Sequence, residues 1–137
     1  MQKIIITGGT GLVGKRLSTL LEEKGYDVNI LCRDPKNPNE YKWNTDENYI
    51  DEKVFENATA IIHLAGAGVA DKRWTDERKK EIIESRTKST QLLFNFLAKG
   101  NHQVTSFISA SAVGYYGDRE NELLTEASSN GTGFLAE

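Results

Sequence analysis

The chain of 137 residues is poor in the features that would place it outside a cell or on a polymer. It has one cysteine, Cys32, which cannot form an internal disulfide and lacks the spaced Cys or His companions of a zinc site. The sequence therefore predicts a metal-free protein of a reducing compartment, with the cytoplasm as the default. Charge of neither sign dominates: 17 Lys and Arg stand against 20 Asp and Glu, a net charge of -3. No Lys/Arg block offers a footprint for a nucleic-acid backbone or an anionic membrane, so the expected partner is a small molecule of unknown identity. The amino terminus has only Ile4 to Ile6 as an unbroken apolar run, too short for a signal segment or a membrane span. Prolines number two, both inside the polar stretch from Arg33 to Asn39, and no repeat or low-complexity tract is visible. Apolar residues make up 38%, enough for one domain, and Leu, Ile, Val and Phe together exceed the roughly 20% below which chains tend to stay disordered.

What is present is an alternation of short apolar runs with helical patterns, punctuated by glycine, which is how parallel α/β sheets are written. Lys3 to Thr7 predicts a first strand. Leu12, Val13, Leu17, Leu20, Leu21 and Lys24 then predict a helix closed by Gly25. Val28 to Cys32 predicts a second strand, Tyr41 to Trp43 a short third, Ile50 to Glu56 a short helix, and Ala58 to Ala65 a fourth strand buried on both faces. The longest helical signal runs from Thr75, as N-cap, to Lys99, with Gly100 as its stop. Its apolar stripe of Ile83, Leu93 and Leu97 carries Arg86 and Thr90 on the same face, a local inconsistency that disappears if the stripe is offset and Arg86 snorkels at its edge. Val104 to Ser109 predicts a fifth strand. Gly117 to Gly133 reads as a long loop, and Phe134-Leu135 as the first turn of an interrupted helix, so the chain is expected to be the amino-terminal half of something larger.

The chemistry is concentrated in Thr7-Gly8-Gly9-Thr10-Gly11-Leu12-Val13-Gly14, between the first strand and the first helix. In that position the early glycines allow a tight turn and close approach of backbone to a pyrophosphate, while Gly14 lets the helix lie near the strand. The helix N-terminus adds unpaired N–H groups and a positive dipole end. Cofactor choice falls to the end of strand two, where an acid accepts hydrogen bonds from a ribose or an Arg takes the extra phosphate. Arg33 favours NADP over NAD. Asp34, 20 residues after Gly14, is the competing acid, although it sits past the strand and before a proline. A P-loop phosphotransferase is disfavoured, because Gly14-Lys15-Arg16 lacks the hydroxyl that magnesium requires.

Three motifs occur in order: the glycine turn, His63-Leu64-Ala65-Gly66, and the serine-rich strand end Ser109 to Gly117. In this the sequence resembles the extended short-chain dehydrogenase/reductases. More narrowly, Ala70-Asp71-Lys72-Arg73-Trp74, Ser85-Arg86-Thr87 and Ile108 to Asp118 are similar to the atypical subgroup of epimerase family proteins, the nucleoside-diphosphate-sugar epimerase type. The resemblance covers essentially the whole chain. It implies a Rossmann-type doubly wound parallel sheet of strand order 3-2-1-4-5, ending before the last strands and the substrate domain. It further implies that Gly8, Thr10, Gly11, Leu12, Val13 and Gly14 hold the pyrophosphate and Arg33 the adenosine phosphate. Leu64, Ala65 and Gly66 would line the adenine side, Trp43 would border the adenine, and Arg86 and Ser109 would join the cofactor contacts. A homodimer is compatible with the resemblance.

For catalysis, the resemblance implies a Ser after strand five together with a Tyr-x-x-x-Lys whose tyrosine acts as general base. Ser111 takes the serine position, unless its hydroxyl only caps the turn. The tyrosine position falls at Phe134 or Leu135, which carry no hydroxyl. Tyr115 and Tyr116 are alternative bases or pocket walls; His63 reads as a hydrogen-bonded core residue; Lys72 and Arg73 are an anion-binding loop or a solvated approach to the helix. Two functions follow: an NADP-binding half of an epimerase-like oxidoreductase acting on an alcohol, carbonyl or nucleotide sugar, or a binding module with regulatory or redox-sensing use that has lost turnover.

Overall fold

The computed structural model describes residues 1–137. Strand β1 (Lys3–Thr7) is buried on both faces from Ile4 onward, as its β-branched run predicts for a central strand. Around it lie α1 (Leu12–Glu23), β2 (Asp27–Cys32), β3 (Glu40–Asn44), β4 (Tyr49–Ile50), β5 (Ala58–His63), α2 (Asp76–Leu97) and β6 (Ser106–Ser109). The sheet order is β4-β3-β2-β1-β5-β6. Every pairing is parallel except that of β3 with β4, a hairpin that extends one edge. The five predicted strands thus stand in the expected 3-2-1-4-5 order, with one short antiparallel strand added. That addition displaces the start of the helix predicted over Ile50 to Glu56, which is a single 3₁₀ turn, Glu52–Phe55, capped by the Asp51 carboxylate on the Lys53 N–H.

Period-two alternation along the strands sends side chains to two separate cores. Ile4, Ile6, Val28, Ile30 and Cys32 face α1, where Leu17 and Leu21 cover them. Ile5, Leu31, Trp43, Val54, Phe55 and Ile61 face α2, meeting Leu92, Leu93 and Phe96. Each fully buried aliphatic side chain contributes about 1.5–3 kcal/mol relative to exposure. Rings of Phe55 and Phe96 stack at 3.7 Å and tie the 3₁₀ turn to α2.

Both helices are rotated slightly from their predicted stripes. In α1, Leu12 and Val13 are exposed and the small residues Gly14 and Ser18 are buried, since the first turn lies too close to the sheet for a large side chain. In α2 the buried face is Arg78, Ile82, Ser89, Leu92, Leu93 and Phe96, while Ile83 is half exposed. Arg86 and Thr90 therefore lie at the margin of the packed face, and the apparent conflict of two polar residues in an apolar stripe disappears. Thr75 caps α2 by accepting the Arg78 N–H at 3.1 Å, and Asp76 and Glu77 complement the helix dipole. All four residues of β6 are exposed, and a 3₁₀ turn, Val113–Tyr116, follows it. The predicted loop after Gly117 is present, and one helical turn closes from Gly133 O to the N–H groups of Ala136 and Glu137.

Candidate functional site

The carboxyl ends of β1, β2, β3 and β5 open on one cavity of about 1250 Å³, above the roughly 300–1,000 Å³ usual for small-molecule sites. One wall is the turn between β1 and α1. Gly8 has φ +71°, and a Cβ there would stand 3.0 Å from the Ala65 nitrogen, so the turn closes against the end of β5. Gly11 is the N-cap of α1 with no side-chain cap, and no acid occupies the first turn. The N–H groups of Leu12, Val13 and Gly14 thus point out of the helix end without an intrahelical acceptor, beside a positive dipole. This is a ready cradle for a phosphate anion.

The facing wall is the end of β5, and Thr7 locks it in place. The Thr7 hydroxyl accepts the N–H groups of Leu64 and Ala65, each at 3.2 Å, so its single proton must point at His63 Nδ1, 2.7 Å away. That assigns the tautomer of His63: Nδ1 accepts, and Nε2–H donates to the hydroxyls of Ser89 and Thr90 on α2, each 3.2 Å away. Ser89 donates its own hydroxyl hydrogen bond to the Arg86 carbonyl at 3.0 Å. His63 is neutral and satisfied at both nitrogens, and burial pushes its pKa below the ordinary 6.5. As pH drops, the unfolded chain takes this proton first. The associated stability is complete above about 6.5 and is lost as pH falls from there through the depressed folded pKa. In urea unfolding on either side of that value, His63→Gln should show a smaller acid-induced loss than the parent chain; an equal loss in both would assign the effect elsewhere.

The segment after β5 is held by two arginines of α2. Arg78, buried except for 8% of its side chain, bonds Glu81 and the Gly68 carbonyl at 2.6 Å each and lies 3.7 Å from Asp71. Arg86 Nη1 donates to the carbonyls of Ala67 and Ile82 at 3.1 Å. It thus supports the backbone of the cavity wall without itself lining the space. Ser85 adds a bond from the Ala67 N–H at 2.9 Å.

Of the residues expected from sequence, the structure brings Gly8, Thr10, Gly11, Arg33, Trp43, Leu64, Ala65 and Gly66 to the cavity. Trp43 does so from a largely buried position, its ring edge-on to His63 at 6.4 Å. Leu12, Val13 and Gly14 do not line it: the first two are exposed beyond the turn, and Gly14 is buried beneath it. Ser109, in register with His63 at the end of β6, and Ser111 beyond it are exposed and do not line the cavity. Tyr115 packs edge-on against Tyr116, away from the cavity wall. Phe134 lies against Trp74, 5.1 Å between ring centres. Lys72 and Arg73 are exposed and do line the cavity, at the approach to α2. Sequence reasoning missed Lys42, which lines the cavity with Arg33 and is in register with Cys32, and the Lys88–Asp46 ion pair of 3.2 Å that joins the β3–β4 turn to α2. Both depend on the β3–β4 hairpin, for which the sequence gives only a weak alternation. Basic side chains outnumber acidic ones around the cavity although the whole chain is acidic, so its field favours an anionic ligand.

The NAD dependent epimerase/dehydratase family matches residues 4–133. An epimerase family protein of Mycobacterium bovis is 34% identical over 135 residues, which are 98% of this chain and 44% of that protein. One from Staphylococcus aureus is 36% identical over 119 residues, 85% of this chain and 39% of its own length. The chain thus spans less than half the length of these curated relatives. Among solved structures, a nucleoside-diphosphate sugar epimerase from Corynebacterium glutamicum superposes with a TM-score of 0.82 at 38% identity, covering 98% of this chain and 28% of that one. The human epimerase family protein crystallised with NADPH superposes with a TM-score of 0.85 at 26% identity, covering 98% and 45%.

Proposed function

Because the chain belongs to the NAD dependent epimerase/dehydratase family, we propose that its cavity holds a nicotinamide dinucleotide, NADP in preference to NAD, as the cofactor half of an epimerase-like oxidoreductase acting on an alcohol, carbonyl or nucleotide-sugar substrate. The observation that carries this reading is the uncapped N-terminus of α1, with its closely packed glycine turn, facing the Thr7-locked end of β5 across one cavity. The backbone from Gly8 to Gly14 takes the pyrophosphate. Leu64, Ala65 and Gly66 border the adenosine, and Trp43 closes the cavity behind it. The bound cofactor supplies hydride transfer; the chain orients it and shields one side from water. The human relative crystallised with NADPH supports a nicotinamide dinucleotide here.

Preference for NADP rests on strand β2. Arg33 lines the cavity with no carboxylate in ion-pair range, whereas the competing Asp34 is turned to Lys36 at 3.6 Å and lies outside the lining. NADP should raise the melting midpoint of the chain more than NAD does, since only a ligand that prefers the folded state can raise it. Arg33→Ala should then weaken NADPH by about 1.5–3 kcal/mol, the range for charged hydrogen bonds, and leave NADH nearly unchanged. Equal weakening of both would remove the specificity argument.

One observation favours the second reading, a binding module without turnover. Phe134, in place of a phenol, is packed on Trp74, and Ser111 stands outside the cavity, so no hydroxyl acid or base from these positions reaches it. Cofactor oxidation with carbonyl compounds by the whole protein separates the two readings.

A further inference from the structure

We propose that Lys42 is a second specificity-determining cation, which together with Arg33 holds the phosphate monoester on the adenosine ribose of the dinucleotide. This rests on the NADP reading above and adds a residue to it. The parallel register pairs Lys42 with Cys32, the residue immediately before Arg33. Neighbouring strands lie about 4.8 Å apart, so the two cations rise from adjacent positions on β3 and at the end of β2. Both are exposed and both line the cavity. Trp43, next along β3, takes the opposite face and is buried in the α2-side core, which leaves Lys42 on the other side of the strand.

The charges around this pair are distributed unequally. Along the same cavity Arg78, Lys80 and Lys88 are each matched by a carboxylate, from Glu81, Glu84 and Asp46. The Arg33 and Lys42 side chains make no ion pair and no hydrogen bond; the other unpaired cations of the cavity, Lys72 and Arg73, stand apart from them at the approach to α2. The two nearby acids are committed elsewhere. Asp34 faces Lys36, and the Glu40 carboxylate accepts the N–H groups of Lys36 at 2.6 Å and Asn37 at 3.2 Å, with the Asn37 amide at 2.7 Å. Those bonds hold Glu40 below the usual carboxylate range, so it stays charged and fixed on the β2–β3 loop. Like charges side by side are unfavourable unless an anion bridges them. A ribose hydroxyl calls for no cation, whereas a phosphate dianion has three oxygens for the Arg fork and the Lys point charge. Glu40, by pinning the loop that follows Arg33, keeps the Arg33 backbone beside Lys42.

Fluorescence titration of the chain with NADPH and with NADH tests this. Lys42→Ala should weaken NADPH about tenfold, equivalent to about 1.4 kcal/mol, with NADH within about twofold of the parent, and Lys42→Arg should restore most of the loss. Unchanged NADPH affinity in Lys42→Ala, with Arg33→Ala still selective, would overturn the assignment of Lys42 and leave the NADP reading standing. Equal weakening of NADPH and NADH by Lys42→Ala would reduce Lys42 to general field or structure and overturn the assignment too. A parent chain that binds neither dinucleotide would overturn both readings.

Discussion

Gly14→Ala should lose about 3 kcal/mol or more of folding stability, at or beyond the upper end of ordinary overpacking, from the addition of a single methyl group. The added Cβ would collide with the Gly8 carbonyl oxygen and stand 2.6 Å from Gly9 Cα and 2.9 Å from the Gly8 carbonyl carbon. All three are backbone atoms, so no rotamer change relieves the contact. Displacing the turn instead drives Gly8 toward the end of β5, where the space for a Cβ is already only 3.0 Å from Leu64 and Ala65. The neighbouring Val13→Ala is the control: Val13 is exposed, and its replacement should stay within about 0.5 kcal/mol. Urea unfolding of both variants measures the contrast. A loss below about 1 kcal/mol in Gly14→Ala would mean that turn and helix can separate cheaply, and the account of the phosphate cradle would have to change.

Thr7→Val, nearly equal in shape, should cost about 2–4 kcal/mol. Thr7 is fully buried, and its hydroxyl serves three groups at once. The Leu64 N–H keeps an alternative in the Thr7 carbonyl at 3.2 Å. The Ala65 N–H and His63 Nδ1 keep none, and each buried group left unsatisfied costs about 1–3 kcal/mol. Thr7→Ser keeps the oxygen and gives up one methyl, so it should retain the bonds and lose only about 1 kcal/mol. If Thr7→Val and Thr7→Ser melt alike, the hydrogen bonds contribute nothing and the packing of the methyl explains the position.

Much of this architecture is legible in the residues. The β-branched run Ile4 to Ile6, the glycines at 8, 9, 11 and 14 and the doubly apolar β5 each carry a local signal that agrees with the global fold. The same holds for Thr75 as a cap, because an N-cap is a contact over three residues. What was illegible is what tertiary partners decide. Of the predicted α2 stripe, Leu93 is buried and Leu97 packs on the core, but Ile83 is half exposed and Ile82 is buried in its place, because Arg78 and Ser89 belong to the buried face and carry no hydrophobic signal. Likewise α1 turns Gly14 and Ser18 inward instead of Leu12 and Val13, which only the closeness of the sheet explains. The β4 strand is two residues long and exists by pairing with β3, so periodicity had nothing to detect. In the site, a glycine pattern announces backbone geometry directly. The pairing of Lys42 with Cys32, and the commitment of Glu40 to the β2–β3 loop, required the register of two strands.

The central place of β1 in the sheet has a kinetic consequence. Its partner on one side, β2, follows after a single helix, whereas its partner on the other, β5, brings His63 from 56 residues away to meet Thr7. Each doubling of a closing loop costs roughly 0.6 kcal/mol in chain entropy, and distant pairings gain nothing until that is spent. The β1–α1–β2 unit is therefore positioned to nucleate, with β5 docking on it afterwards. On that order the Thr7–His63 contact is absent from the rate-limiting barrier, and the loss in Thr7→Val should appear as faster unfolding with refolding scarcely slowed. The two walls of the cavity then belong to different stages of one folding reaction: the glycine turn is set early, and the β5 wall is the part last assembled and first surrendered.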